Sequence, residues 1–379
     1  MSNVRISFAH APASPHQKSP FLRVVKRAST PYWLTALLVA AGIVFALLVG
    51  GVLLLCLHKN PLAVYASIVG GAFRSSLAIQ STIRVAIPLC ITSIGVALAF
   101  RMKFWNIGAN GQMLMGALFA SYLALNWSGL PRPVLLPLIF VAGMLGGALW
   151  GMIPAMFQVR FGTSETLLTL MLNYIALYIV GWLMQGPWRD PTASGFPKIA
   201  TFAQSTWLDK VAGVQFGWII ALVLIAVSFG YTRYTKQGFE VAVVGESRNT
   251  ARYAGMNVGL VVLRTMAISG AVCGIAGVTQ AMGEAYTLTT GLTDSIVGSV
   301  GFTAIIVAWL ARLNPFAIVG VTALLSILGK GSSVMQTTFG VSSYVSAVLQ
   351  GVLLFSVLAF DFFTRYKLVF HTRKSEKTP

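Results

Sequence analysis

Acidic side chains are nearly missing: nine Asp and Glu residues in a chain of 379, with only 9% of residues charged. Soluble domains carry about 25% charged residues, so a water-facing surface over this length is excluded, and with it a soluble enzyme or a disordered chain. Cysteine is scarce too, at three. Cys56, Cys90 and Cys273 all lie inside apolar runs, show no metal or redox spacing, and read as small packed hydrophobes. A nucleotide-hydrolysing loop is also lacking. Gly329-Lys330-Gly331-Ser332 suggests one, but the pattern GxxxxGK[ST] needs glycine where Leu324 stands and Ser or Thr where Gly331 stands. His10, His16, His58 and His371 form no metal constellation, and no Asp/Glu/His chain of a proton-driven pump is visible.

What the chain has is apolar length: 56% hydrophobic residues and a mean hydropathy of +0.78. Lys and Arg number 27, giving a net charge of +18. A nucleic-acid partner would need that charge on one solvated face. Here the basic residues sit between apolar runs, where membrane topology accounts for them, so no nucleic-acid partner is expected. The chain reads as an all-α polytopic membrane protein surrounded by lipid.

A helix needs about 20 apolar residues to cross the hydrocarbon. Runs near 32–57, 77–100, 104–126, 133–157, 166–186, 216–232, 265–283, 295–311, 315–329 and 341–364 predict about ten spans. The first follows a basic tail and lacks the short core and small-residue cleavage site of a secretory signal, so it reads as a retained helix. With the N-terminus inside, Arg101, Lys103, Arg160 and Arg312 fall on the cytoplasmic side. So do the 233–264 loop and the C-terminal tail, as the positive-inside bias requires. The organisation is then a cytoplasmic tail over 1–31, one membrane domain over 32–364, and a cytoplasmic tail over 365–379. Lys59–Arg74 reads as an outer interfacial helix, and 187–215 as the one sizeable outer loop.

Three features carry functional weight. The third span opens FWNIGANGQ, where Asn106, Gly108, Asn110, Gly111 and Gln112 interrupt the apolar run. Buried amides are costly unless paired, so the segment is either a broken helix lining a path or a turn before an ordinary helix. The Ser-, Thr- and Gly-rich stretch Leu292–Gly301 and the short Pro315–Gly329 run give a related signal in the second half, and hint at an inverted repeat. Gly143, Gly147 and Gly151, with Gly270 and Gly274, form small-residue faces for close helix packing. Arg84 lies within the second span, where it either serves transport or snorkels outward. Finally, the 233–264 loop contains a predicted short helix over Ser247–Ala254, ended by Gly255, suited to seat in a partner's groove.

Four stretches in order, Phe104–Gln112 (FWNIGANGQ), Thr163–Ala176 (TSETLLTLMLNYIA), Gly245–Val258 (GESRNTARYAGMNV) and Gly301–Pro315 (GFTAIIVAWLARLNP), resemble permease subunits of ATP-binding-cassette (ABC) importers. The resemblance is to the branched-chain amino acid/ribose permease superfamily, nearest its nucleoside and simple-sugar branch, which is served by basic-membrane-protein-type binding lipoproteins. It implies a type II importer fold in a bacterial inner membrane, with both termini cytoplasmic. The implied partners are a cytoplasmic ATPase, a second permease (identical or sibling) and an extracytoplasmic substrate-binding protein. No cofactor would be bound by this chain, since the partner uses the ATP. Carried over, the motifs make Asn106, Gly108, Asn110, Gln112 and Asn173 substrate-path candidates. Gly245, Ala251, Arg252, Gly255 and Asn257 become ATPase-coupling candidates. Departures from the family pattern are Asn110 in place of a common acid, Ala311 in place of a frequent glycine, and Thr163-Ser164-Glu165 in place of an Asn-Glu pair. The competing class is an ion- or proton-driven carrier working without an ATPase.

Overall fold

The computed structural model describes residues 22–27, 31–191, 198–283, 292–293 and 296–370. Strand β1 (Leu22–Lys26) leads into six helices: α1 (Tyr32–Cys56), α2 (Pro61–Phe73), α3 (Ser76–Arg101), α4 (Ala109–Asn126), α5 (Arg132–Phe161) and α6 (Glu165–Gln185). A loop with the small hairpin β2 (Lys210–Val211) and β3 (Val214–Gln215) follows. Then come α7 (Gly217–Tyr234), α8 (Lys236–Glu246), α9 (Arg248–Tyr253), α10 (Val258–Ala281), α11 (Val300–Leu310), α12 (Pro315–Phe339), α13 (Ser343–Arg365) and strand β4 (Tyr366–Phe370). The tail residues Arg5, Lys18, His10, His16 and His371, the loop residues Gly195, Pro197, Asp294 and Ser295, and the side chains of Asp361 and Arg365 lie outside the described residues.

Among the described residues, eight helices are long and apolar enough to cross a membrane. The expected spans outside that set are α4, whose first turn is polar, and α11, with 11 residues. Both are enclosed by other helices: Met113 and Ala117 on α4, and Ala304 and Val307 on α11, are fully buried. Enclosure by protein removes the need for a long apolar exterior.

Several helix ends differ from the hydropathy runs, each for a local reason. α10 starts at Val258 because Asn257 caps it, its Oδ1 accepting from the Leu260 N–H at 3.1 Å. α12 runs on through Gly329–Gly331 to Phe339. Gly331 serves packing there, since a Cβ would press on the Ile68 backbone of α2. About a third of the 233–264 loop is helix α8, which begins where Thr235 Oγ1 accepts from the Gly238 N–H at 3.0 Å.

The chain divides into two compact units. The first takes the residues up to Ala66 and those from Met335 onward. In it α1 packs on α13, with Gly42 against Val357 and Phe360, and with the Phe45 and Phe360 rings 5.8 Å apart. β1 pairs antiparallel with β4, Leu22 opposite Phe370 and Lys26 opposite Tyr366. Cys56 ends α1 exposed rather than packed, whereas Cys90 and Cys273 of the second unit are buried.

The second unit, Ser67–Val334, is built around α3 and α10. Their apolar windows are 78% and 61% buried, against 22–33% for α5, α6 and α7, so these two form the centre and the others the rim. The glycine faces pack closely, and they do so against one another. Gly143 and Gly147 of α5 lie against Gly270 and Gly274 of α10, and Gly116 of α4 lies against Gly274. A Cβ on Gly274 or Gly147 would strike backbone, not a movable side chain. In lipid such packing, together with interhelical hydrogen bonds, replaces the hydrophobic effect as the source of helix association. Arg84 extends to the β2–β3 turn, where its Nη2 donates to the Gly213 carbonyl at 3.4 Å. Arg132 at the start of α5 holds the same loop through Asp209 at 2.7 Å and the Trp207 carbonyl at 2.6 Å.

Gly274→Val should therefore destabilise the bundle by about 1–3 kcal/mol, the usual cost of overpacking, read as a lower unfolding temperature in detergent. Gly230→Ala on α7, with open space around it, should leave that temperature unchanged or raise it.

Candidate functional site

The site begins where α3 stops. Lys103 adopts a left-handed conformation (φ 56°), its N–H donates to the Phe100 carbonyl at 3.0 Å, and the Phe104 N–H donates to the Ala99 carbonyl at 3.3 Å. This is a Schellman helix stop, and its hydrophobic contact is supplied by Phe104, fully buried in one cluster with Ala99 and Met102. The FWNIG segment is thus a turn, and an unbroken α4 starts at Ala109.

The amides of this turn are answered from inside the protein. Asn106 and Gln112, both essentially unexposed, form a reciprocal pair: Asn106 Nδ2 donates to Gln112 Oε1 at 3.1 Å, and Gln112 Nε2 donates to Asn106 Oδ1 at 3.0 Å. Asn106 Oδ1 also accepts from the Gly108 N–H at 3.1 Å, closing a local Asx turn. Asn106 Nδ2 also donates to Ser269 Oγ on α10 at 3.2 Å, and that hydroxyl donates to the Gly95 carbonyl of α3 at 2.7 Å. Asn173 of α6 works from the other side. Its Oδ1 accepts from the Gly111 N–H at 2.7 Å and its Nδ2 donates to the Ile107 carbonyl at 2.9 Å. Thr169, one turn earlier, accepts from the Ile107 N–H at 3.2 Å.

Asn110 has a separate task. α11 has no side-chain cap of its own. Asn110 Oδ1 accepts from the Gly301 N–H at 2.6 Å and its Nδ2 donates to the Gly298 carbonyl at 3.0 Å, so α4 caps α11 across the bundle. The far end of α11 is clasped instead by the end of α3 and the turn after it. Trp105 stacks on Trp309 at 5.5 Å with Phe100 beside both, and Arg101 donates to the Leu313 carbonyl at 3.0 Å.

The second group of predicted residues lies on α8–α10. The short helix is there: Ser247 Oγ accepts from the Thr250 N–H at 3.2 Å to start α9. Gly255, at φ 78°, closes a second Schellman stop through Gly255 N–H to Arg252 carbonyl and Met256 N–H to Ala251 carbonyl, both 3.0 Å. Ala251 is fully buried in the cluster of Val241, Val244, Val258 and Val262, while Arg252 is exposed and Tyr253 is 93% exposed. Gly245 lies directly on the Arg101 carbonyl, with no room for a Cβ. The helix is thus seated on one side by its alanine and presents a basic, aromatic face on the other.

Sequence reading missed the links that fix this lobe. Glu240 of α8 pairs with Arg264 of α10 at 2.8 Å, both partly buried. The Gln158 amide, oriented to accept, meets Arg248 Nη2 of α9 at 3.1 Å. Glu240 and Glu246 are the only acids in the segment 233–264, which was the available signal for an ion pair. Among the described residues no group of three or more His, Cys, Asp or Glu side chains is placed to hold a metal. A crevice of about 360 Å³ between α4, α5 and the end of α6 is lined by Leu118, Phe119, Tyr122, Leu123, Ala142, Leu183 and Trp188, an apolar lining unsuited to a polar solute.

The profile of the family described as branched-chain amino acid transport system / permease component matches residues 78–358, and the chain belongs to that family. The glucose ABC transporter permease protein TsgB13 of Haloferax volcanii is 29% identical over 92% of this chain and 93% of its own length. The nucleoside ABC transporter permease protein NupB of Lactococcus lactis is 28% identical over 83% and 88%. The guanosine ABC transporter permease protein NupP of Bacillus subtilis is 29% identical over 83% and 91%. This is a multi-pass permease subunit of an ABC importer, a kind of subunit that works with an ATPase and a substrate-binding protein.

Asn106→Leu leaves Gln112 and Ser269 short of partners in a dry interior, which should cost about 1–3 kcal/mol per orphaned group. Asn106→Leu with Gln112→Leu should cost less than the sum of the two single changes. Thermal unfolding of the three variants in nanodiscs checks this coupling.

Proposed function

We propose that this permease carries a nucleoside inward across a bacterial inner membrane, with simple sugars as the next candidate cargo. The full transporter pairs it with a second permease, identical or sibling. An ATPase docks on the cytoplasmic side and a binding protein delivers cargo from outside. The chain itself neither hydrolyses ATP nor binds a cofactor. Two of the three relatives above are named for nucleosides or guanosine and one for glucose. Both chain ends lie inside, as the basic loops and tails require.

The observation that carries the coupling part is the construction of α9. One face is locked to the bundle through Ala251, and Arg252 and Tyr253 stand free on the other. A groove on the ATPase grips that outer face. Because Gly245 rests on the end of α3, and Glu240 joins α8 to α10, a pull on α9 reaches the helices at the centre of the bundle. Gly255 and Asn257 set the sharp exit into α10. Population of two bundle states then follows the nucleotide state of the partner, since only a difference in free energy between states moves such an equilibrium. Asn106, Gly108, Asn110, Gln112 and Asn173 serve the path by holding the shape of its wall, their polar atoms being engaged with protein. A carrier working without an ATPase has no observation in its favour.

In proteoliposomes containing the whole transporter, Arg252→Glu with Gly255→Pro should abolish ATP-driven uptake of labelled guanosine while the permease still reaches the membrane. Wild-type uptake rates in that variant would defeat the coupling assignment. Uptake of labelled glucose but not guanosine by the wild type would reassign the cargo.

A further inference from the structure

With the amides of the third span engaged, the wall that meets the cargo has to come from another surface. α6 offers one. Its buried face, Thr169, Asn173, Ala176 and Val180, is clamped to the bundle, and its opposite face is open. Along that face Tyr174, Tyr178 and Trp182 follow one another at one-turn spacing, exposed by 50%, 69% and 65%. Gly181 beside them has open space around it.

The depth of these rings is the telling point. Tyr174 is close to the middle of the Glu165–Gln185 span, about 14 Å from its start at 1.5 Å per residue. Tyrosine belongs at the membrane–water interface, where its hydroxyl is hydrated. Among the described residues neither phenol hydroxyl has a hydrogen-bond partner, although Tyr174 sits near mid-span and Tyr178 about 10 Å from the Gln185 end. An unanswered hydroxyl there is costly. The other rim helices differ: α5 exposes Val141, Leu145 and Leu149 at comparable depth, and α7 exposes Leu222, Val223 and Val227. Those faces are wholly aliphatic, whereas on α6 the three rings alternate with Leu167, Met171 and Ile175. The α6 face thus pairs apolar contact with hydroxyls that call for water.

We infer that Tyr174, Tyr178 and Trp182 form a stacking rail in the translocation path, along which the planar base of a nucleoside moves from one ring face to the next. Aromatic side chains hold bases through their π faces, with little dependence on base identity. Rings one turn apart give successive weak holds, which lets a solute enter and leave. The rail is rigid because Asn173 and Thr169 fasten the back of α6 to the α3–α4 turn. This inference rests on the nucleoside reading above and adds to it the residues that touch the cargo.

The test uses the whole transporter in proteoliposomes. Tyr174→Leu with Tyr178→Leu should lower guanosine uptake at least tenfold, while Tyr174→Phe with Tyr178→Phe, which keeps the ring faces, should keep at least half. In a Cys56→Ser background, the thiol introduced by Tyr178→Cys should react with a membrane-impermeant thiol reagent, and guanosine should slow that reaction. Undiminished guanosine uptake by the leucine variant overturns the rail while leaving the nucleoside reading standing. If the introduced thiol resists the aqueous reagent, or forms a disulfide with its copy in a second permease, the rail is also overturned, because lipid or protein then covers the face. Wild-type transporter that imports glucose but no guanosine overturns the nucleoside reading itself.

Discussion

A polar group carried into hydrocarbon needs an answer from the protein or from a water-filled passage, because lipid offers neither donor nor acceptor. The Asn106–Gln112 pair shows how far that requirement shapes the structure. Two adjacent-turn amides satisfy each other and recruit Ser269 from α10, which in turn reaches the Gly95 carbonyl of α3. Three helices are registered by one chain of hydrogen bonds. Such a network specifies one arrangement only when all members are satisfied, and here the turn, the helix start and the neighbouring Asn173 close together.

The same requirement explains the division between centre and rim. α3 and α10 are enclosed, whereas only 22–33% of the apolar windows of α5, α6 and α7 is buried. Glycine lets α4, α5 and α10 approach to backbone contact, so the centre has little freedom to rearrange piecemeal. Motion between transport states then falls to whole helices. α8 and α9 are placed to impose it, being joined to α3 through Gly245 and to α10 through Glu240–Arg264.

Much of this is legible in the chain before any coordinates. The short helix after Ser247, its stop at Gly255 and the glycine seam are signalled by residues whose roles are local: a capping hydroxyl, a left-handed glycine, and small residues four apart. Hydropathy places the start of α10 too late because it registers apolar length and is blind to the cap at Asn257. The role of Asn110 cannot be read either, since its partners, Gly298 and Gly301, lie far along the chain. The stop after α3 gives no glycine signal, as Lys103 takes the left-handed position there. Arg84 is ambiguous on sequence because only the folded outer loop supplies its Gly213 acceptor.

The first unit is assembled from the two ends of the chain, with Ser67–Val334 made in between. On the ribosome, α1 is therefore made well before α13 and β4 and waits for them while the whole second unit is synthesised, a long-range closure of the kind that slows folding. Its mean hydropathy of 2.8, the highest among the eight candidate spans, equips it for that interval: surrounded by lipid alone, it is stable as a solitary helix. The residue choice along α1 thus answers to the order of synthesis as much as to the finished contact.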